Sequence, residues 1–302
     1  MTQSMEKRNH NNSRSLDEQC RGEYAKDVIK ALILKERRRK KFFCRSPQIH
    51  ERPQLISWIQ KLSERLKLQN TTSHLAVYVL DIFMDNHDIE PSKLKLLAIV
   101  CLLLAAKFEE LDSNIPKISV LKNKLDSDFA PTDFITMELV ILKFLKWQLA
   151  HPTTAHFVEI FSSYAVEEND LVCCREEHVD VINNETMKCA MSSLRLEASE
   201  AMQELMEITL KDTSYIKFQP SVIAATIVCL TRRQLMLEPP WTPTLVKVTG
   251  MNGKEFSHCL KWLLREIDAD EETSMKIDEG YFTGGSPCSP EQSPDVVKRK
   301  NP

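Results

Sequence analysis

The hydrophobic pattern of the chain is helical almost throughout, and its most apolar segment is the run LLAIVCLLLAA from Leu96 to Ala106. As a helix this run would span about 16 Å at ~1.5 Å per residue, far less than the roughly 30 Å of bilayer hydrocarbon. A helix that is apolar on every side is typical of a protein core. The run ends abruptly at Lys107, Phe108, Glu109 and Glu110. The lysine suits the negative end of the helix dipole and the glutamates do not, so the glutamates either begin the next loop or serve something outside the helix.

The spacing of apolar residues predicts further helices around this run. One spans about 23–36, a second spans 52–66, a third follows the N-cap candidates at 71–73, and a later one begins at Pro131. Two carboxylates stand among apolar residues in these segments, Asp81 in the third helix and Glu138 in the last. A buried carboxylate needs a partner. Asp81 therefore points to water or is paired.

The second half of the chain repeats the pattern of the first. A new helical series follows Pro152, with segments at 153–164 and 185–211. The tetrad Ile-Val-Cys-Leu occurs at 99–102 and again at 227–230, each time after a Pro-Ser start. Together with the similar order of helices, this predicts a duplicated all-helical unit. In that register Leu235 replaces Lys107, so the halves would share a fold without sharing this charge.

Composition supports an all-α protein and narrows its partners. The chain has six glycines and none between Glu23 and Thr249, whereas an average chain has about 7% and sheet proteins use glycine in turns. The formal net charge of -3 argues against a nucleic-acid footprint. The nine cysteines are odd in number and lack C-x-x-C spacing, which favours a reducing compartment. We expect a soluble intracellular protein that binds neither nucleic acid nor membrane.

Both ends of the chain are polar, and a basic block follows the first predicted helix. We expect disorder at 1–16 and in the tail 269–302. Three Ser-Pro steps in the tail are candidates for proline-directed phosphorylation, the alternative being a merely flexible tail: Ser286, Ser289 and Ser293. The block from Arg37 to Lys41 could be a nuclear-import signal, a patch for an acidic partner, or a solvated helix end. Import would place the protein in the nucleus, and we expect it in the cytoplasm as well.

Signatures of catalysis are missing from the sequence. It contains no H-E-x-x-H motif, no glycine-rich phosphate loop and no Cys/His cluster with metal-ligand spacing. Carboxylates are abundant, but no spacing marks an acid/base pair. We therefore expect a non-catalytic protein without a metal or cofactor.

Three stretches carry a specific resemblance to the cyclin family: HLAVYVLDIFMDNHDI at 74–89, CLLLAAKFEE at 101–110 and PTTAHFVE at 152–159. Five positions that mark the cyclin box are matched by Arg52, Asp81, Leu96, Lys107 and Glu138. The resemblance covers about 24–267. It implies an N-terminal helix and basic linker at 17–48, followed by two five-helix cyclin folds in tandem, at 49–150 and 151–268.

The resemblance also implies roles for these residues. Arg52 and Asp81 would form an internal ion pair. The first fold would bind a cyclin-dependent kinase, with Lys107 and Glu138 hydrogen-bonding the kinase backbone near its mobile regulatory helix. The alternative for these two is an intramolecular salt bridge, worth about 0–1 kcal/mol if exposed. We expect apolar contacts beside them from Phe108 and Ile141.

One departure from the family concerns the helix that carries its substrate-docking patch. Leu55 and Trp58 are retained there, but Glu51 and Gln54 replace apolar residues. Lys61 stands at the acidic position that receives a substrate arginine, and Lys95 replaces the glutamine that assists it. Lysines at these positions should repel a basic Arg-x-Leu motif. The patch is therefore predicted to be degenerate.

The function implied is that of a regulatory subunit that activates a cyclin-dependent serine/threonine kinase allosterically, in cell-cycle control. Two alternatives remain open. Tandem cyclin folds also occur in transcription factors that bind promoter DNA, which need a basic face. A cyclin-shaped adaptor could instead recruit another protein through the region around Trp58 without any kinase.

Overall fold

The computed structural model describes residues 24–125, 129–173, 184–265 and 267 of the 302-residue chain. The predicted disordered segments and the Ser-Pro steps at Ser286, Ser289 and Ser293 lie outside these residues. The described residues up to Leu260 form one compact unit. Beyond it, the described part is the end of the last helix.

The described residues form helices and contain no strand, which confirms the all-α prediction. The first half contains α1 (Ala25–Glu36), α2 (Arg52–Leu66), α3 (Asn70–Asn86), α4 (Leu94–Glu109), α5 (Ile118–Lys122) and α6 (Pro131–Phe144). The second half contains α7 (Thr154–Ser162), α8 (Asp170–Cys173), α9 (Asn184–Lys211), α10 (Pro220–Gln234), α11 (Pro243–Thr249) and α12 (253–265). We call α2–α6 the first repeat and α7–α12 the second repeat.

Helix ends follow local chemistry. Proline opens α6, α10 and α11, where its missing N–H is not needed by the helix. Asp133, in the first turn of α6, accepts a hydrogen bond from the N–H of Ala130 at 2.7 Å, and α11 ends at Gly250 with a left-handed φ of 71°. These signals explain why most helix starts could be read from the sequence.

The core of the first repeat is built around α4. Every residue from Leu96 to Ala106 is buried, as expected for a helix that is apolar on all sides. Cys101 lies in the middle of this run, and burial raises the pKa of its thiol. Helix α4 packs against α2, α3 and α6, so the position of its C-terminal end is fixed by these contacts.

Helix α3 is more enclosed than its periodicity indicates. The sequence predicts one apolar face, but every residue from Thr71 to Asp85 is buried. The reason is that α3 packs against α4 of its own repeat and also against α7 of the second repeat. Its polar residues are buried with it, and burial lowers the pKa of His74 to about 3. Helix α3 therefore forms the internal boundary between the two repeats.

The N-terminal helix and the segment after it contact both repeats. Helix α1 packs against α11, and its buried Glu36 accepts hydrogen bonds from Ser221 at the start of α10, 3.0 Å from N and 2.6 Å from Oγ. The backbone N–H groups of Phe43 and Arg45 donate to the carboxylate of Asp85 on α3, at 2.8 and 2.6 Å. The segment thus connects the second repeat to the first.

The basic block is only partly solvated. The guanidinium of Arg39 lies 4.3 Å from the centre of the Tyr78 ring, and Lys40 lies 3.7 Å from that of Phe144. Lys40 Nζ also donates to the Phe144 carbonyl oxygen at 3.2 Å. Arg37, Arg38, Lys40 and Lys41 are exposed. The interpretation of this block as a simple solvated helix end is therefore wrong for Arg39, which packs on the first repeat, whereas Lys40 is exposed and also contacts Phe144.

Candidate protein-binding surface

The structure brings Arg52 and Asp81 together as a buried pair. Arg52 donates from Nε to Oδ1 at 2.7 Å and from Nη2 to Oδ2 at 2.9 Å. Its remaining donors reach the carbonyl oxygens of Leu210 and Lys211 at the end of α9, at 3.2 and 2.7 Å. These carbonyls have no partner within their own helix. One guanidinium therefore joins α2, α3 and a helix of the second repeat.

The structure also brings Lys107 and Glu138 together, at the surface. Lys107 Nζ donates to Glu138 Oε1 at 2.6 Å, and the side chains are 43% and 15% exposed. Lys107 lies in the last turn of α4 and Glu138 in the middle of α6. An ammonium has three donors, so this bond leaves Lys107 with donors for another acceptor. In the isolated chain, the two residues form the intramolecular salt bridge.

Exposed apolar side chains flank the ion pair. Phe108 follows Lys107 directly, and Ile135 and Leu139 lie one turn apart on α6 beside Glu138. Each of the three is more than 40% exposed. Exposed apolar groups that cluster on a protein surface mark sites of interaction. We call the surface formed by Lys107, Phe108, Ile135, Glu138 and Leu139 the Lys107–Glu138 surface.

The expectation that Ile141 contacts a partner is wrong, because its side chain is fully buried. Phe134, Ile141 and Leu145 recur at helical spacing along one side of the α6 segment and are all buried in the first-repeat core. Ile135 and Leu139 occupy the outer side. Apolar character alone did not reveal which side of the helix faces outward.

The degenerate docking patch also loses its apolar centre. Leu55 is 5% exposed and belongs to the first-repeat core, and Trp58 is half-buried against that core. Leu55 is therefore not a surface residue, because α2 turns this face toward the inside. Lys61 and Lys95 are exposed, as a groove that disfavours basic peptides requires.

The two glutamates that end α4 serve other parts of the chain. Glu110 Oε1 accepts from the N–H of Gln69 and from Thr72 Oγ1, both at 2.7 Å, at the start of α3. Glu109 Oε1 lies 3.2 Å from His156 Nε2 in α7. His156 Nδ1 accepts from the N–H of Thr153, so Nε2 carries the proton that is shared with Glu109. Both glutamates lie at the negative end of the α4 dipole, which is unfavourable. Their hydrogen bonds to α7 and to the start of α3 offset this cost.

Sequence reasoning missed a second buried ion pair. Arg232 near the end of α10 is fully buried and bonds Asp170 twice at 2.8 Å. It also donates to the carbonyl oxygens of Ala165 at 2.6 Å and Pro239 at 3.1 Å. The available signal was an arginine two positions after the apolar helical run that ends at Leu230. The pair connects α8 to α10 within the second repeat.

No described helix is long and apolar enough to cross a membrane. Among the described residues, no group of three or more His, Cys, Asp or Glu side chains is arranged to hold a metal ion.

The architecture on these residues is a tandem cyclin fold: two all-helical repeats, each built around a buried apolar helix. The family profile for the cyclin N-terminal domain matches residues 27–150, and the profile for the cyclin C-terminal domain matches residues 152–284. The chain belongs to the cyclin family.

Its relatives include cyclin-J proteins. Cyclin-J of Xenopus laevis is 31% identical over 261 residues, which cover 85% of this chain and 65% of that protein. The cyclin-J-like protein of Mus musculus is 32% identical over 279 residues, covering 90% and 70%. The G2/mitotic-specific cyclin-A of Spisula solidissima is 31% identical over 229 residues, covering 75% and 47%. The chain thus spans about two thirds of the cyclin-J proteins it matches.

A solved structure confirms the fold. A viral cyclin from Herpesvirus saimiri superposes with a TM-score of 0.59 over 80% of this chain and 96% of its own. Its sequence identity is 18%, so this likeness concerns the fold alone. The prediction of two tandem cyclin folds is confirmed by the family profiles and this superposition together.

Proposed function

We propose that this cyclin binds a cyclin-dependent serine/threonine kinase through the Lys107–Glu138 surface and activates it allosterically. The observation that carries the proposal is the 2.6 Å ion pair at the surface, in which the lysine is 43% exposed, flanked by exposed apolar side chains on two packed helices. Cyclins are regulatory subunits rather than enzymes, and the two residues match cyclin-box positions that contact kinase backbone in the family.

The chemistry of the pair suits a partner's main chain. The lysine can donate to backbone carbonyls and the carboxylate can accept from backbone amides. Opening the existing bond costs little, because an exposed ion pair contributes only about 0–1 kcal/mol. The buried stretch of α4 holds Lys107 in position, which limits the entropy lost on binding. The free chain therefore presents both groups ready to exchange one partner for another.

Activation then requires no chemistry from the cyclin. A cyclin that binds the active arrangement of a kinase more tightly than the inactive one shifts the equilibrium by that difference in affinity. The relationship to a G2/mitotic-specific cyclin-A supports a role in the cell cycle. A nuclear location, extending to the cytoplasm, is part of this proposal. It relies on the exposed cations Arg37, Arg38 and Lys41.

Affinity purification tests the proposal. The tagged protein is recovered from dividing cells, bound kinases are identified by mass spectrometry, and kinase activity of the eluate is measured. We expect Lys107→Ala combined with Glu138→Ala to lose both the kinase and the activity while helicity by circular dichroism stays unchanged.

A matched control is available in the same repeat. Glu90 and Lys93 form another exposed ion pair, at 3.3 Å, near the opposite end of α4. The double alanine variant of this pair should keep the kinase. Undiminished kinase recovery with the Lys107/Glu138 variant would defeat the proposal, and so would equal loss with both variants.

A further inference from the structure

A polar cavity lies where the basic block meets both repeats. Its volume is about 430 Å³, and it lies between α3, the segment 36–43 and the stretch 215–223. This volume is within the range of small-ligand sites, roughly 300–1,000 Å³. Six cationic side chains line it, against two carboxylates: Arg37, Arg39, Lys40, Lys41, Arg52 and Lys217 against Glu36 and Asp81.

Both carboxylates of the cavity are already engaged. Asp81 is bonded to Arg52, and Glu36 is bonded to the N–H and hydroxyl of Ser221. No described carboxylate forms an ion pair with Arg37, Arg39 or Lys41 within 4.0 Å. Arg37, Arg39 and Lys41 therefore bring positive charge to the cavity that no described ion pair within 4.0 Å offsets.

Apart from Arg52, which is paired with Asp81, Arg39 is the cation most enclosed in this cavity. Its Nε is buried and has no hydrogen-bond partner among the described residues. Burial lowers the pKa of its guanidinium, opposed mainly by the neighbouring Tyr78. A buried donor without an acceptor costs folding free energy. A guanidinium is also the side chain whose fixed fork of donors matches phosphate oxygens.

A second donor lies beside Arg39. The hydroxyl of Tyr78 accepts a hydrogen bond from the backbone N–H of Lys40 at 3.2 Å, so its own proton remains available to an acceptor in the cavity. The ring of Tyr78 supports the guanidinium from below, 4.3 Å from its centre. The orientation of Arg39 is thus set by packing before any ligand arrives.

We propose that this cavity binds a phosphate group, carried by a phosphorylated serine or threonine of a partner protein. Arg39 donates its Nε–H to the phosphate, Tyr78 donates its hydroxyl, and the exposed Arg37 and Lys41 close over the charge. A phosphate carries about -1.5 to -2 charges at pH 7 with three acceptor oxygens, which matches the excess charge and free donors. The proposal is independent of kinase binding at the Lys107–Glu138 surface.

Nuclear magnetic resonance tests the site directly. The ¹⁵N-labelled protein is titrated with an N-acetyl phosphoserine peptide, with the same peptide unphosphorylated, and with inorganic phosphate. The arginine Nε–Hε signal of Arg39 is assigned by its disappearance in Arg39→Lys. We expect this signal to shift saturably with the phosphopeptide and to stay in place with the unphosphorylated peptide.

Two variants distinguish a specific phosphate site from nonspecific attraction of the phosphate by positive charge. Arg39→Lys should weaken phosphopeptide binding about tenfold or more, because a lost charge-assisted hydrogen bond is worth at least that factor. Arg38→Ala removes a neighbouring exposed cation that does not line the cavity, so it should change binding less than about twofold. Should Arg39→Lys misfold by circular dichroism, Lys41→Ala and the wild-type titration still decide.

The two phosphate sources give different results. Tighter binding of the phosphopeptide than of inorganic phosphate assigns the site to a phosphorylated protein, whereas equal binding assigns it to free phosphate and corrects the partner while keeping the site. An Arg39 signal that stays in place at millimolar concentrations of both would overturn the proposal. Equal weakening by Arg38→Ala would overturn it as well.

Discussion

Removing one member of the Arg52–Asp81 pair should destabilise the protein strongly. Both side chains are buried, and the two bonds between them are 2.7 and 2.9 Å. Asp81→Asn keeps the shape of the side chain but leaves a guanidinium in the core without a counter-charge. Breaking a buried pair in this way costs about 3–5 kcal/mol. Arg52→Met should cost at least as much, because it also removes the donors to Leu210 and Lys211.

The double variant distinguishes the energy of the pair from the cost of an orphaned charge. Replacing both residues, as Arg52→Met with Asp81→Leu, leaves no buried charge, and such replacements are often close to neutral. Here the two α9 carbonyl oxygens still lose a donor. We therefore expect the double variant to remain about 1–2 kcal/mol less stable than the wild type, and clearly more stable than either single variant.

Urea denaturation followed by circular dichroism at 222 nm measures these differences, with thermal unfolding as a second readout. A loss of about 3–5 kcal/mol corresponds to a melting temperature lower by roughly 6–20 °C. Lys107→Ala is the control, because the lysine lies at the surface and its ion pair should contribute no more than about 1 kcal/mol. Single variants that each cost under about 1 kcal/mol would refute the view that this pair is desolvated.

Three further predictions follow from the same structure. Peptides with an Arg-x-Leu motif should bind weakly, since the exposed Lys61 and Lys95 place positive charge where the family's patch receives the peptide arginine. Micromolar binding in a fluorescence titration would contradict this. In the native protein, alkylation followed by mass spectrometry should label the exposed Cys189 well before the buried Cys101, and equal rates would count against it. Glu110→Ala should cost about 0.5–1.5 kcal/mol in urea denaturation through loss of the hydrogen bonds from Gln69 and Thr72, and an unchanged midpoint would count against that role.

Local signals made most of the fold readable from the sequence. The apolar run in α4 and the proline starts of α6 and α10 are determined by residues within one or two turns. The spacing predicted α1 at about 23–36, and the helix is Ala25–Glu36. By contrast, α11 spans only Pro243–Thr249 and was not predicted, because two turns carry too little periodicity to stand out.

Burial set by distant parts of the chain could not be read in the same way. Periodicity suggested that Asp81 could face water, yet α3 is covered by α7, which begins about 70 residues later at Thr154. Arg232 and Asp170 are 62 positions apart, and neither position signals the other. Ile141 looked equivalent to its exposed neighbours until the packing of α6 was known. In each case the residue is plain in the sequence, but the distant helix or side chain that packs against it is not.

The contacts between the repeats suggest why the α4 run ends in two acidic residues. Glu110 holds the start of α3, and Glu109 reaches His156 of the second repeat, both within three residues of Lys107. Arg52 makes a similar connection from α2 to the end of α9. The position of the Lys107–Glu138 surface is therefore linked by polar bonds to the second repeat. A second repeat that has Leu235 in place of the lysine can still contribute to the proposed kinase binding by holding Lys107 in place.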